Sequence, residues 1–154
     1  MAITKLVSDS LGAGVGGKVL QVVQAKKTTQ TSIIGDGAVG LSQSITPSSS
    51  SSKILVMVNL DGVTLDTDNH YGEFLLKLSD GTVLRDFAYP TGWNTVDNAN
   101  ETTPSMTWLH EPNTTSQLTY EIHFNTISGT DVSIKINRDE IGTVSTLTLM
   151  EIAG

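Results

Sequence analysis

Cysteine is absent from this 154-residue chain. That excludes disulfide staples and thiol chemistry, and a zinc site would need the three histidines together with carboxylates. Charge is sparse, at 16% of residues, and aromatics make up only 5%. Nine Lys and Arg stand against sixteen Asp and Glu, a formal net charge of −7. Phosphate backbones are bound by clustered basic side chains, so nucleic acid is excluded as a partner, and a flat membrane-surface role fails on the same deficit. No run approaches the roughly 18 apolar residues of a membrane span. The start, Met1-Ala-Ile-Thr-Lys-Leu-Val-Ser-Asp9, lacks the apolar h-region of a secretory signal. Synthesis and assembly in a cytoplasm are expected.

What fills the space is Ser, Thr, Asn and Gly, a bias that suits short strands and turns and suits helices badly. The length is that of one domain able to bury a core. Residues 1–17 stand apart. Ile3, Leu6, Val7 and Leu11 fall on one apolar stripe over a helical turn or two, and Gly12-Ala-Gly-Val-Gly-Gly17 follows as a hinge. This segment is expected to be an arm leading into a domain at 18–154.

From Lys18 onward strands and turns alternate, with strands predicted near 18–26, 39–46, 53–61, 72–79, 82–88, 105–111, 117–127, 131–138 and 143–152. Tyr120, Ile122 and Phe124 alternate with Glu121, His123 and Asn125, giving a buried face and a wet one. Val132, Ile134 and Ile136 repeat this against Ser133, Lys135 and Asn137. Lys53-Ile-Leu-Val-Met-Val-Asn-Leu60 is almost continuously apolar, as a strand covered on both faces would be. Ser79-Asp-Gly-Thr82 is the clearest hairpin turn. Tyr89 to Pro104 is expected to be an exposed loop. The last strand, Ser145 to Ala153, is expected to tuck the C-terminus into a sheet, leaving no tail for tethering. About nine short strands at this spacing indicate an all-β fold, an antiparallel jelly-roll β-sandwich with a short N-terminal arm.

Motifs that suggest chemistry fail on context. Gly12, Gly14 and Gly17 satisfy G-x-G-x-x-G, but no strand precedes them and no helix follows, so they are a hinge rather than a cofactor site. Asp61, Asp66, Asp68, Asn69 and His70 cluster in one segment that misses the EF-hand spacing, so it is taken as a solvated turn. His70, His110 and His123 show no ligand spacing and are expected at the surface or an interface. The run Ser48–Ser52 lacks a nucleophile elbow and is taken as a flexible turn. Asn100-Glu-Thr102 and Asn113-Thr-Thr115 match the glycosylation sequon, which has no use without a secretory signal. Asp66, Asp68, Asp97 and Glu101 lie in loops and form no carboxylate pair readable from sequence. Trp108 sits in an apolar run and is assigned to the core. Trp93, between Gly92 and Asn94, is the aromatic expected to face outward. No catalytic, metal or cofactor residue is expected, and the chain is not expected to be an enzyme.

Three stretches form a series: Gly17-Lys-Val-Leu-Gln-Val-Val-Gln24, Leu41-Ser-Gln-Ser-Ile-Thr-Pro-Ser-Ser-Ser-Ser-Ser-Lys-Ile-Leu-Val-Met-Val58 and Ser145-Thr-Leu-Thr-Leu-Met-Glu-Ile-Ala153. Glu111-Pro-Asn-Thr-Thr-Ser-Gln-Leu-Thr-Tyr120 and Asn137-Arg138 fit between them. The series, across 17–154, resembles small virion proteins of tailed bacteriophages, particularly phages of aquatic bacteria and cyanobacteria. The resemblance implies a sandwich of the tumour-necrosis-factor type, assembled as a homotrimer, serving as capsid decoration, head fibre or tail-fibre tip. It offers no catalytic residues. Many fibre proteins of this kind place long shaft repeats before the domain, and the short arm here points instead to a compact knob. The expectation is a virion structural protein made in the host cytoplasm, a cement knob on the head shell. Ile3, Leu6, Val7 and Leu11 would contact the major capsid protein or other virion proteins. The alternative is a tail-fibre or receptor-binding tip that meets a host surface glycan through Tyr89, Trp93 and Asn94.

Overall fold

The computed structural model describes residues 17–65, 71–91, 102–129, 132–137 and 142–154. Among them are eleven strands: β1 (Val19–Lys27), β2 (Thr31–Ile34), β3 (Gly37–Ile45), β4 (Lys53–Asn59), β5 (Thr64–Leu65), β6 (Tyr71–Leu78), β7 (Val83–Thr91), β8 (Ser105–His110), β9 (Leu118–Ser128), β10 (Ser133–Ile136) and β11 (Ser145–Ile152). They form two four-stranded sheets, β1-β11-β4-β8 and β3-β9-β6-β7, and a three-stranded one, β2-β10-β5. All pairings of these strands are antiparallel.

The strand order is that of a jelly roll. Apart from the β6–β7 hairpin, each connection between successive strands of the two large sheets crosses from one to the other, wrapping the chain as two Greek keys. The small sheet is built from three of those connections, since β2, β5 and β10 lie between β1 and β3, β4 and β6, and β9 and β11. The wrap therefore carries short strands of its own.

Period-two patterning fills the space between the sheets. Ile54, Val56 and Val58 of β4 and Leu147 and Leu149 of β11 face Phe74, Leu76, Tyr120, Ile122 and Phe124 of the opposing sheet, all at most 3% exposed. Phe74 stacks on Phe87 at 5.7 Å and meets Phe124 edge-on at 5.5 Å. Gly72 faces that cluster, and a Cβ there would lie 2.3 Å from Phe124 Cζ and 2.5 Å from the Asn125 carbonyl oxygen. Only glycine fits at the bulge beside Tyr71. The predicted hairpin forms as read: Gly81 N–H donates to Leu78 O at 2.9 Å with φ of 91°, and Asp80 Oδ1 accepts from Thr82 N at 2.9 Å.

Several expectations are corrected. The Tyr89–Pro104 segment is not all loop. β7 runs through Thr91, Thr102 bridges Val63, and Pro104 is buried with its carbonyl accepting from Leu60 N at 2.8 Å. β4 is central in its sheet but covered on one face only, because Leu55 and Met57 on the other side are half-exposed. β2 and β5 escaped the sequence reading because four and two residues are too few to show a period. Asn137 was placed on a wet face and is instead fully buried at a φ of 56°. The serine run is no flexible turn, for Ser52 is buried and Ser48 holds a carboxylate.

Candidate functional site

Among the described residues, the outer side of the β1-β11-β4-β8 sheet carries a row of apolar side chains. Registers align Val22 with Met150, Met150 with Leu55, and Leu55 with Leu109, one apolar residue from each strand in a single row. Val22 and Leu109 are 52% and 43% exposed, and Met150 and Leu55 are half-buried by their neighbours. Val19 and Leu20, exposed at the start of the edge strand β1, continue the apolar surface along that strand. The adjacent row, Gln24–Thr148–Met57–Thr107, is mostly polar, with Gln24 Nε2 donating to Thr148 Oγ1 at 2.7 Å. Lys53 and Glu111, paired at 2.5 Å, mark the other rim. An apolar strip with a polar margin is a layout that suits contact with another protein surface.

The opposite outer face, on β3-β9-β6-β7, is polar. Asn125 Nδ2 donates to Glu73 Oε1 at 2.9 Å, His123 Nε2 meets Glu121 Oε2 at 3.2 Å, and the Ser44 and Thr119 hydroxyls meet at 2.7 Å. Period two produced both faces, and the difference lies in which side chains occupy the outward positions.

At the open edge where β7 passes β8, three rings line up. Trp108 stacks on His110 at 5.0 Å, His110 meets Tyr120 edge-on at 5.8 Å, and Arg85 Cζ lies 5.9 Å from the Trp108 ring. His110 Nδ1 and the Tyr120 hydroxyl are 2.7 Å apart. Burial lowers the imidazole pKa and raises that of the phenol, so both stay neutral and the bond locks β8 to β9. Trp108 packs against the core, as expected from its sequence context. His110 is half-buried in this stack.

Two polar junctions hold the frame around these faces. Glu151 sits at core parity on β11, only 1% exposed, and accepts from Gln21 Nε2 at 2.7 Å, Ser48 N at 2.7 Å and Ser48 Oγ at 2.6 Å. Burial pushes its carboxyl up, and these donors outweigh burial and bring it down to about 2. The Ser52 hydroxyl, buried beside it, adds its dipole without closing a geometric hydrogen bond. At the second junction Asn137 Nδ2 donates to Lys27 O and Oδ1 accepts from Ser145 Oγ, each at 2.5 Å, while Asn137 N donates to Asp61 O at 3.0 Å. Through its side chain and its backbone N–H, Asn137 thus ties the ends of β1, β10 and β11 to the segment that follows β4.

Ile3, Leu6, Val7, Leu11, Trp93 and Asn94 lie outside the described residues, and of Tyr89 only the backbone, in β7, is described. The Asp66–His70 segment lies outside them too. Among the described residues, no group of three or more His, Cys, Asp or Glu converges to hold a metal ion. The apolar row and the Glu151 junction were missed in the sequence. Leu55 was its signal for the row, being apolar at outward parity. Glu151 was marked by sharing parity with Leu147 and Leu149.

Comparison with solved structures returns the VP2 subviral particle of infectious bursal disease virus, with a TM-score of 0.45 and 14% identity over 86% of this chain and 39% of that one. Structures of the Gt and Gx strains of the same virus follow. The Gt strain has a TM-score of 0.40 and 15% identity over 90% of this chain and 39% of that one. The Gx strain has 0.33 and 14% over 86% and 42%. The chain thus spans about two fifths of the length of these structures. No protein-family model and no curated protein matches the chain. Overlap this loose adds nothing to the argument, and the jelly-roll assignment rests on the strand order.

Proposed function

We propose that the protein is a non-catalytic virion structural protein, a jelly-roll knob that decorates the head shell of a tailed bacteriophage as a homotrimer. Residues 1–17 hold it to the major capsid protein or to a neighbouring virion protein, and it is made in the host cytoplasm and resides in the particle. The observation that carries this reading is the row Val22–Met150–Leu55–Leu109 on an outer face of the sandwich. An assembling protein can use such a row as a contact surface. The sequence resemblance to small phage virion proteins supports the same reading.

The test is the copy number in purified particles, by gel densitometry against the major capsid protein. Copies on the scale of the shell subunits support decoration. A small fixed number set by the symmetry of a tail would overturn it and make the protein a tail-fibre or receptor-binding tip with a host surface glycan as ligand. Deleting residues 2–16 should strip the protein from particles. Full occupancy after that deletion would remove the arm from the docking role.

A further inference from the structure

We infer that, in the free protein, the apolar stripe of residues 3–11 seats on the row Val22–Met150–Leu55–Leu109 of its own chain. The arm starts at the rim of the face that carries this row. Gly17 packs against Ile152, where a Cβ would lie 2.3 Å from Ile152 Cγ2, and Lys18 O accepts from Ala153 N at 2.8 Å. That fastens the root of the arm beside Val19 and Leu20, at the start of the edge strand that carries Val22. From there the row crosses three strand spacings, about 14 Å.

The arm matches that span in length and spacing. Sixteen residues precede Gly17, enough to reach about 50 Å when extended, so reach is no obstacle. Gly12, Gly14 and Gly16 let the chain reverse direction at the edge. Ile3 to Leu11, read as the helical stripe their spacing indicates, covers about 12 Å of axis. The stripe as a whole therefore covers most of the length of the row. The arm's five central residues, Lys5 to Asp9, balance in charge.

This contact is separate from docking to the shell and can fail without it. The chain's lack of cysteine makes the test clean. The full-length double variant Leu6→Cys with Leu109→Cys is oxidised beside Leu6→Cys with Ile34→Cys, Ile34 being 72% exposed on β2 away from the row. The inference expects an intramolecular disulfide several-fold faster in the first pair, with monomer mobility and an unchanged circular dichroism spectrum. Equal rates, or no disulfide, overturn it. A disulfide-linked dimer from the first pair also overturns it and assigns the face to a second copy. As a second measurement, deleting residues 2–16 should raise binding of an apolar dye severalfold. The same deletion should add little when Val22→Ser and Leu109→Ser are already present. A rise of equal size in both backgrounds counts against the seat. Particle occupancy, measured apart, reports on docking alone.

Discussion

Replacing Glu151 with Gln tests whether a buried carboxylate holds the C-terminal strand to the serine segment. The parent carboxylate takes three geometric hydrogen bonds from Gln21 and Ser48. Its carboxyl falls from the ordinary 4.5 to about 2. A drop of about 2.5 pH units corresponds to an upper bound of ~3 kcal/mol. Ser48 lies at the open rim of the sandwich, where water can replace part of each bond. Discounting for that leaves about 2 kcal/mol for the charged acceptor. The folded-state pKa is depressed, so this stability is fully present above pH 4.5 and is lost as pH falls toward about 2. Glu151→Gln should therefore be about 2 kcal/mol less stable than the parent at pH 7. The gap should close as pH falls through that window. Urea unfolding midpoints at unchanged slope, taken at pH 7, 4.5 and 2.5, measure it. A variant as stable as the parent at pH 7, or a gap that stays constant down to pH 2.5, would refute the reasoning.

Three further perturbations probe the frame. Asn137→Ala leaves the Lys27 carbonyl and the Ser145 hydroxyl without their buried partner and keeps a β-carbon at positive φ, so a loss of ~2–4 kcal/mol is expected in urea unfolding. Gly72→Ala drives a methyl into Phe124 and the Asn125 carbonyl. It should cost about 2 kcal/mol or more and lower the thermal midpoint, with an unchanged midpoint ruling out the close approach. Tyr120→Phe removes the bond to His110 Nδ1 and should cost about 1 kcal/mol. In the parent, His110 titrates below 6.5 by NMR, so its protonation on acidification opposes folding, and a midpoint at or above 6.5 would contradict the buried stack.

The alternation of β9 was legible because period two reports orientation directly, and Tyr120, Ile122 and Phe124 are buried as their spacing indicates. The Ser79–Thr82 hairpin was legible because its turn residues carry their own geometry. Where a signal depended on what lies opposite, sequence reading failed. The apolar run in β4 looks the same whether a second layer covers it or a partner has yet to arrive, so the bare outer face stayed hidden. Asn137 sits in an alternating strand, and only the convergence of four strand ends shows why a polar side chain is buried there. The serine run was misread because its partner, Glu151, is about a hundred residues away.

By itself the sequence determined an all-β sandwich, most of its strands and the identity of its core, because backbone pleating and turn chemistry act between near neighbours. Tertiary structure alone decided the strand order that makes it a jelly roll, the row of apolar residues on one outer face, and the partners of Glu151 and Asn137. Those depend on which strands meet across long separations, and the free energy that selects them comes from the whole packed interior.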